Sequence, residues 1–210
     1  YPPFSYYNQE YVVDGFDPAL IKEIGTKLGI KIEIADYAFE SLDEVLQNDE
    51  ADVAIAAISV TPEREAVVDF SNIYFIGDDG LLARQDSNLA PITDIKQLAG
   101  LAVGVQRGSI YEVWAKEALV DSNLISHDQL YAYRNLQEAV ADLKANRLNV
   151  VISDRQPAIQ YLADEELVLA GEKLNSQRLA IALPSGANAL RSVINQALLD
   201  LQNEGKLSQL

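Results

Sequence analysis

Helical and strand signals alternate along this chain, and the alternation runs through twice. The stretch DPALIKEIGTKLG opens with Asp17 as the expected N-cap and Pro18 at the first helical position. It carries Leu20, Ile21, Ile24 and Leu28 on one face and stops at Gly29. IKIEIAD then alternates Ile30, Ile32 and Ile34 in the manner of a strand. Ser41 and Glu44 in SLDEVLQ stand at capping-box spacing and predict a second helix, and ADVAIAA reads as the next strand. Beyond IYFIGDDGLLAR the series restarts as helix DIKQLAG, strand LAVGV, helix SIYEVWAKEAL, strand around SHDQLYAY, helix NLQEAVADLKANR, strand NVVIS and helix RQPAIQYLADE. Two such series predict two lobes, each built on a parallel sheet. The strand RLAIAL and the amphipathic helix NALRSVINQALLDLQNEG, with Leu190, Val193, Ile194, Ala197, Leu198 and Leu201 along its apolar face, leave open which lobe they close.

No repeat, low-complexity tract or Pro-rich linker divides the 210 residues. Candidate junctions are Gly77 to Gly80 and Asn175 to Arg178. Two crossings predict a second lobe inserted into a discontinuous first one, with hinge motion at the paired crossings. A hydrophobic content of 49% is that of a folded domain. No apolar run approaches the ~20 residues of a membrane span, and no leader stands before Tyr1, so a mature or trimmed soluble domain is expected. With 32 acidic against 16 basic residues and scattered cations, nucleic acid is a poor partner. The absence of cysteine excludes disulfides and thiolate chemistry. His127, the single histidine, lies in LISHDQLY with no nucleophile motif nearby and reads as structural or exposed. No metal and no cofactor is expected.

In open α/β sheets ligands bind beyond the carboxyl ends of the strands. ADVAIAA leads to Ser59 and Arg64, LAVGV to Gln106, Arg107, Gly108 and Ser109, NVVIS to Asp154, and IKIEIAD to Tyr37 and Phe39. A cation, a carboxylate, hydroxyls and a Gly-Ser pair opening a helix suit a zwitterion. The Arg64 fork would hold a carboxylate, Asp154 would take an ammonium, and Tyr1 and Phe39 would wall a side chain. Each residue also has a plainer reading. Asp154 and Ser109 would serve as helix caps, Asp17 as another, Arg64 as a surface residue on a turn capped by Thr61 with Pro62 behind it, and Tyr1 and Phe39 as core.

YPPF at Tyr1, VDGFDPALIKEIGTKLG, AISVTPER running into VDFSNIYF, LAVGVQRGS, NVVISD and LAIALPSG cover almost the whole chain in one order. In that order the chain resembles the extracytoplasmic amino-acid-binding proteins of ABC transporters, the polar amino-acid family. The resemblance implies an α/β, two-lobed periplasmic binding protein type II fold with a ligand cleft between the lobes, related to the ligand-binding cores of ionotropic glutamate receptors. It divides the chain into 1–77 and 178–210 for the first lobe and 78–177 for the second. It assigns the ligand α-carboxylate to Arg64, aided by Ser59 and the backbone at Gly108 and Ser109. The α-ammonium goes to the carbonyl of Ala57 and to Asp154, and the aromatic walls are Tyr1 and Phe39. Gln106 matches a pocket residue that varies among members, and Asp17 a carboxylate near cationic side chains in some. The family's strand before Tyr1, its few residues upstream and its longer carboxyl end are not in this sequence. In cation binders an acidic residue often lies in that upstream stretch.

The function implied is capture of a free L-amino acid, with a cationic or amide side chain favoured by the acidic balance, Asp17 and Gln106. The captured amino acid is delivered to a membrane permease by a monomeric protein outside the cytoplasm, its signal peptide removed. A sensing domain of a receptor or channel is one alternative, and a dehydratase of the arogenate type on the same fold is another. The second needs a general acid or base in the cleft, and with no histidine, cysteine or lysine at the matching strand ends a non-enzyme is expected.

Overall fold

The structure, a computed structural model, describes residues 1–89 and 91–210. In chain order the elements are β1 (Tyr6–Tyr7), β2 (Val13–Asp14), α1 (Phe16–Leu28), α2 (Leu42–Gln47), α3 (Pro62–Glu65), β3 (Val68–Phe70), β4 (Phe75–Arg84) and β5 (Val103–Gln106). They continue as α4 (Ile110–Ala115), β6 (Leu130–Tyr133), α5 (Leu136–Lys144), β7 (Val150–Asp154), α6 (Arg155–Gln160), β8 (Leu167–Leu179), β9 (Ala182–Pro184) and α7 (Asn188–Asn203). The chain falls into two compact units. One comprises Tyr1 and Gly77–Gln177, the other Pro2–Ile76 and Arg178–Leu210. The crossings at Ile76/Gly77 and Gln177/Arg178 therefore lie inside β4 and β8.

The Gly77–Gln177 unit is organised by a five-stranded sheet of order β6-β5-β7-β4-β8. β5 runs parallel to β6 and β7, while β4 pairs antiparallel with β7, Asp79 opposite Asp154 and Leu82 opposite Val151. The sheet is mixed, where the alternation predicted an all-parallel one, because β4 enters across a junction and not from a crossover helix. Successive residues of a strand face opposite sides. Val150 and Ile152 accordingly join Leu81, Val103, Val105, Tyr111 and Leu119 in one buried cluster, and Val151 joins Leu82, Leu136, Val140 and Leu143 in another. Covered on both faces, the central strands β5 and β7 are buried almost throughout, each large buried side chain contributing ~1.5–3 kcal/mol.

The other unit departs further from expectation. Residues 30–38 form no strand, although Ile30, Ile32 and Ile34 alternate. Ile30 is 52% and Ile34 42% exposed, and no ladder partner lies beside them among the described residues. Side-chain alternation marks a chain that could pair but does not supply its partner. ADVAIAA likewise yields only isolated bridges, Ala54 to Ala182 and Ser59 to Leu179, beside the antiparallel pair β3–β9. The core here gathers Leu46, Ala54, Ile58, Val68 and Ala182.

Capping also differs from the sequence reading. α1 begins before Asp17, with Gly15 at its N-cap at φ +116, where an added Cβ would lie 2.6 Å from the Phe4 carbonyl oxygen. Ser41 does not cap α2; its hydroxyl donates to the Ala38 carbonyl at 2.7 Å. Gly29 does end α1 in the left-handed conformation, and α7 buries Ile194, Ala197, Leu198 and Leu201 but leaves Val193 exposed. His127 is exposed.

Candidate functional site

Arg64 stands on α3, a single turn whose geometry follows from its sequence. The Thr61 side chain accepts the Arg64 amide at 3.3 Å, and Pro62 holds the first helical position. That turn sends the guanidinium back along the chain, where Nη1 donates to the Ser59 carbonyl at 3.0 Å and Cζ lies 5.4 Å from the centre of the Phe39 ring. Burial lowers the guanidinium's proton affinity and the nearby Asp43 opposes this, so the group remains a cation. Phe39 thus meets the arginine itself, a contact the sequence reading did not foresee.

Ala57 adopts the left-handed backbone at φ +49, a conformation that costs a non-glycine residue ~1–2 kcal/mol. Its amide donates to Asp17 Oδ2 at 2.7 Å, and the Tyr74 hydroxyl donates to Asp17 Oδ1 at 2.9 Å. Asp17 is 0% exposed. It is not the helix cap of the sequence reading, that position being held by Gly15. A buried carboxylate needs donors on its oxygens, and those it has found fix the backbone turn at Ala57.

Asp154 ends β7 and stands at the N-cap position of α6, yet its side chain makes no capping bond. Its carboxylate accepts from the hydroxyls of Tyr1 and of Tyr111, the latter at 2.8 Å, and its amide donates to the Tyr1 oxygen at 3.1 Å. The residue is 7% exposed, and burial raises the carboxyl's proton affinity, while the two phenols lower it again and Asp79 raises it. Both phenols are held neutral well above the usual tyrosine range, by burial first and by Asp154 second. Each carboxylate oxygen has two lone pairs, so two phenol donors leave Asp154 able to accept a cationic donor. Tyr1 contributes a hydroxyl to this cluster and belongs with residues 77–177, not with the segment that follows it.

At the end of β5, Ser109 caps α4. Its hydroxyl accepts the Glu112 amide at 3.4 Å and donates to the Gln106 carbonyl at 2.6 Å. The Gly108 amide, at φ +71, donates to Glu112 Oε2 at 2.6 Å. A carboxylate does sit on the Gly108 amide, and it is the protein's own. Gln106 is half-buried.

The structure therefore assembles Phe39, Ser59, Arg64 and the Asp17–Ala57–Tyr74 set in one unit. In the other it assembles Tyr1, Asp154, Tyr111 and the Gln106–Ser109 turn. Tyr111 and Tyr74 carried no motif that would single them out. Among the described residues no group of three or more His, Asp or Glu is placed to hold a metal ion, and no helix is long and apolar enough to cross a membrane.

The chain is a mixed α/β protein of two compact units, one carrying the half-buried Arg64 and the other the buried, phenol-bonded Asp154. The sequence profile of the bacterial extracellular solute-binding proteins, family 3, matches residues 1–210, and the chain belongs to that family. It is 29% identical over its full length, and over 80% of the relative's, to the arginine-binding extracellular protein ArtP of Bacillus subtilis. It is 25% identical over its full length and 77% of the relative's to the L-cystine-binding protein TcyJ of Escherichia coli. Among solved structures, an ancestral arginine-binding protein bound to arginine superimposes with a TM-score of 0.92 at 29% identity, covering all of this chain and 91% of the other. An ancestral amino acid-binding protein described as a precursor of cyclohexadienyl dehydratase superimposes with a TM-score of 0.89 at 26% identity, covering 100% and 88%. The fold is the periplasmic binding protein type II fold that the sequence resemblance implied.

Proposed function

We propose that this protein binds a free L-amino acid with a cationic or amide side chain, outside the cytoplasm, and passes it to the permease of an ABC transporter. The carboxylate of the amino acid goes to Arg64 and its ammonium to Asp154. The observation that carries the reading is Asp154 itself. A helix-capping aspartate would spend its side chain on the amides of α6, whereas this one is turned to two phenol hydroxyls that keep it ionisable while burial removes water. Relatives named for arginine or cystine binding, and a structural neighbour bound to arginine, support the ligand class. A further neighbour, an ancestral protein bound to glutamine, supports the amide alternative.

The protein acts by binding and not by turnover. The charged groups around the proposed ligand are an arginine paired with a backbone carbonyl and a carboxyl held by two phenols, an arrangement that supports holding a zwitterion. The precursor of a dehydratase among the structural neighbours makes the check specific: incubation with prephenate or arogenate should yield no product.

A thermal-shift screen of the proteinogenic amino acids tests the ligand class. A ligand bound only by the native state adds RT ln(1 + [L]/Kd), ~2.7 kcal/mol at a hundredfold excess over Kd. Arginine, lysine, histidine or glutamine should give the largest shift, and glutamate ranking first would overturn the proposed side-chain preference.

A further inference from the structure

Asp79 faces Asp154 across the β4–β7 ladder, and cross-strand partners place their side chains on one face of a sheet. Asp79 is 0% exposed. Its Oδ1 accepts the Asn175 amide at 2.5 Å, while its Oδ2 is buried with no hydrogen-bond partner among the described residues. Two buried carboxyls are therefore cross-strand neighbours with unequal support. Asp154 has a phenol on each oxygen, whereas Asp79 is held by the backbone amides of Asn175, Leu174 and its own residue, with Oδ2 unpartnered among the described residues.

An ionised carboxylate with an orphan buried oxygen is among the costliest arrangements a protein interior can hold, and two adjacent ones cannot both ionise at ordinary proton affinity. Among the described residues no Lys or Arg side chain forms an ion pair with either carboxylate. Tyr1 and Tyr111 are neutral donors, with Tyr161 next to Tyr1. Asp78 on β4 adds negative charge, and β8 offers only its backbone amides at Leu174 and Asn175. Arg155, next in sequence to Asp154, is paired with Glu172. We propose that Asp79 and Asp154 share one proton in the ligand-free protein, and that Asp79 acts as a positioning residue which gives that proton up to solvent when Asp154 takes the ligand's ammonium group.

The proposal rests on the assignment of the ammonium to Asp154. A cation at Asp154 lowers the proton affinity of both carboxyls of the coupled pair, so a proton leaves as the ligand enters. The sign follows from burial, which raises the proton affinity of both carboxyls. The second ionisation is then resisted in the free protein and eased in the complex. Affinity should rise from mildly acidic to neutral pH, with up to about one proton released per ligand. The same arrangement makes the ligand-free fold lose stability as pH rises through the raised proton affinity of the pair.

Two measurements test this. Infrared spectroscopy of the ligand-free protein at neutral pH should show a protonated-carboxyl carbonyl band that Asp79→Asn removes; a wild-type spectrum without the band overturns the shared proton. Calorimetry with L-arginine in phosphate and in Tris at one pH should give enthalpies that differ with buffer ionisation for the wild type. Asp79→Asn should still bind L-arginine, with enthalpies that no longer depend on the buffer and a flatter pH profile. Buffer-independent binding by the wild type, or undiminished proton release by the variant, overturns the coupling. If Asp79→Asn does not fold, Asp79→Ser takes its place, and the wild-type buffer comparison stands without either. If neither L-arginine nor L-glutamine binds, the functional reading fails and the infrared band alone judges the proton.

Discussion

The two charged groups assigned to the ligand are built in opposite ways. Arg64 is set by local chain geometry. A Thr-Pro turn aims it, a carbonyl five residues earlier receives it, and Phe39 lies beneath it. Asp154 is set by distant side chains, with Tyr1 and Tyr111 supplying its donors and Asp79 standing opposite it on β4. A guanidinium is a permanent cation and needs only to be pointed. A buried carboxylate must also be kept ionisable, and that takes donors from elsewhere in the fold. The arginine half should accordingly respond to loss of its charge and little to pH, and the aspartate half to both.

The largest effect expected is loss of either charge. Removing one member of a buried charge pair costs ~2–5 kcal/mol, so Asp154→Ala and Arg64→Ala should each weaken binding roughly thirtyfold to several thousandfold with native circular dichroism retained. Wild-type affinity in either variant would return that residue to its plainer role, the end of a strand or a turn.

Tyr111→Phe sharpens the contrast. It removes one charge-assisted hydrogen bond from Asp154, worth ~1.5–3 kcal/mol, and raises the carboxyl's proton affinity further. Because a cation is bound by the ionised form, the variant should lose affinity on acidification sooner than the wild type, which calorimetry across pH will register. Arg64→Lys, weakened through lost fork geometry, should keep the wild-type pH profile.

Smaller still is the effect at Ala57. Glycine tolerates the left-handed backbone without penalty, so Ala57→Gly should leave stability unchanged or raise it by up to ~1 kcal/mol. Asp17→Asn should lower it by ~1–3 kcal/mol by weakening the bonds that hold Ala57 and Tyr74. Denaturant unfolding compares the two. The smallest change belongs to Glu63→Ala on the exposed side of the Arg64 turn, which should alter stability by less than ~0.5 kcal/mol and affinity not at all.

This asymmetry also explains what could be read in advance. The Arg64 turn was legible because Thr61, Pro62 and Arg64 lie within one turn and capping chemistry is local. Asp154 was legible as a strand-end carboxylate, since β7 is an apolar run followed by a polar residue. Its environment was not, because Tyr1 stands 153 residues away and Tyr111 43, and no periodicity encodes which phenol reaches which carboxylate. Asp79 read as part of a junction, GDDG, where acidic residues are ordinarily solvated, and only the β4–β7 register places it beside Asp154. Asp17 misled for the same reason, since a helix-opening aspartate before proline is a strong cap signal while its buried contacts are 40 and 57 residues distant. The isoleucines at 30, 32 and 34 show the limit from the other side, for alternation specifies a face and not a partner.

The central proposal is that Arg64 takes the carboxylate of a bound amino acid. Calorimetry of wild type and Arg64→Ala with L-arginine and with agmatine, which lacks the carboxylate, tests it most directly. The wild type should prefer L-arginine strongly and Arg64→Ala should bind the two alike, because the group that reads the carboxylate has gone. An Arg64→Ala variant that kept the full preference for L-arginine would contradict it.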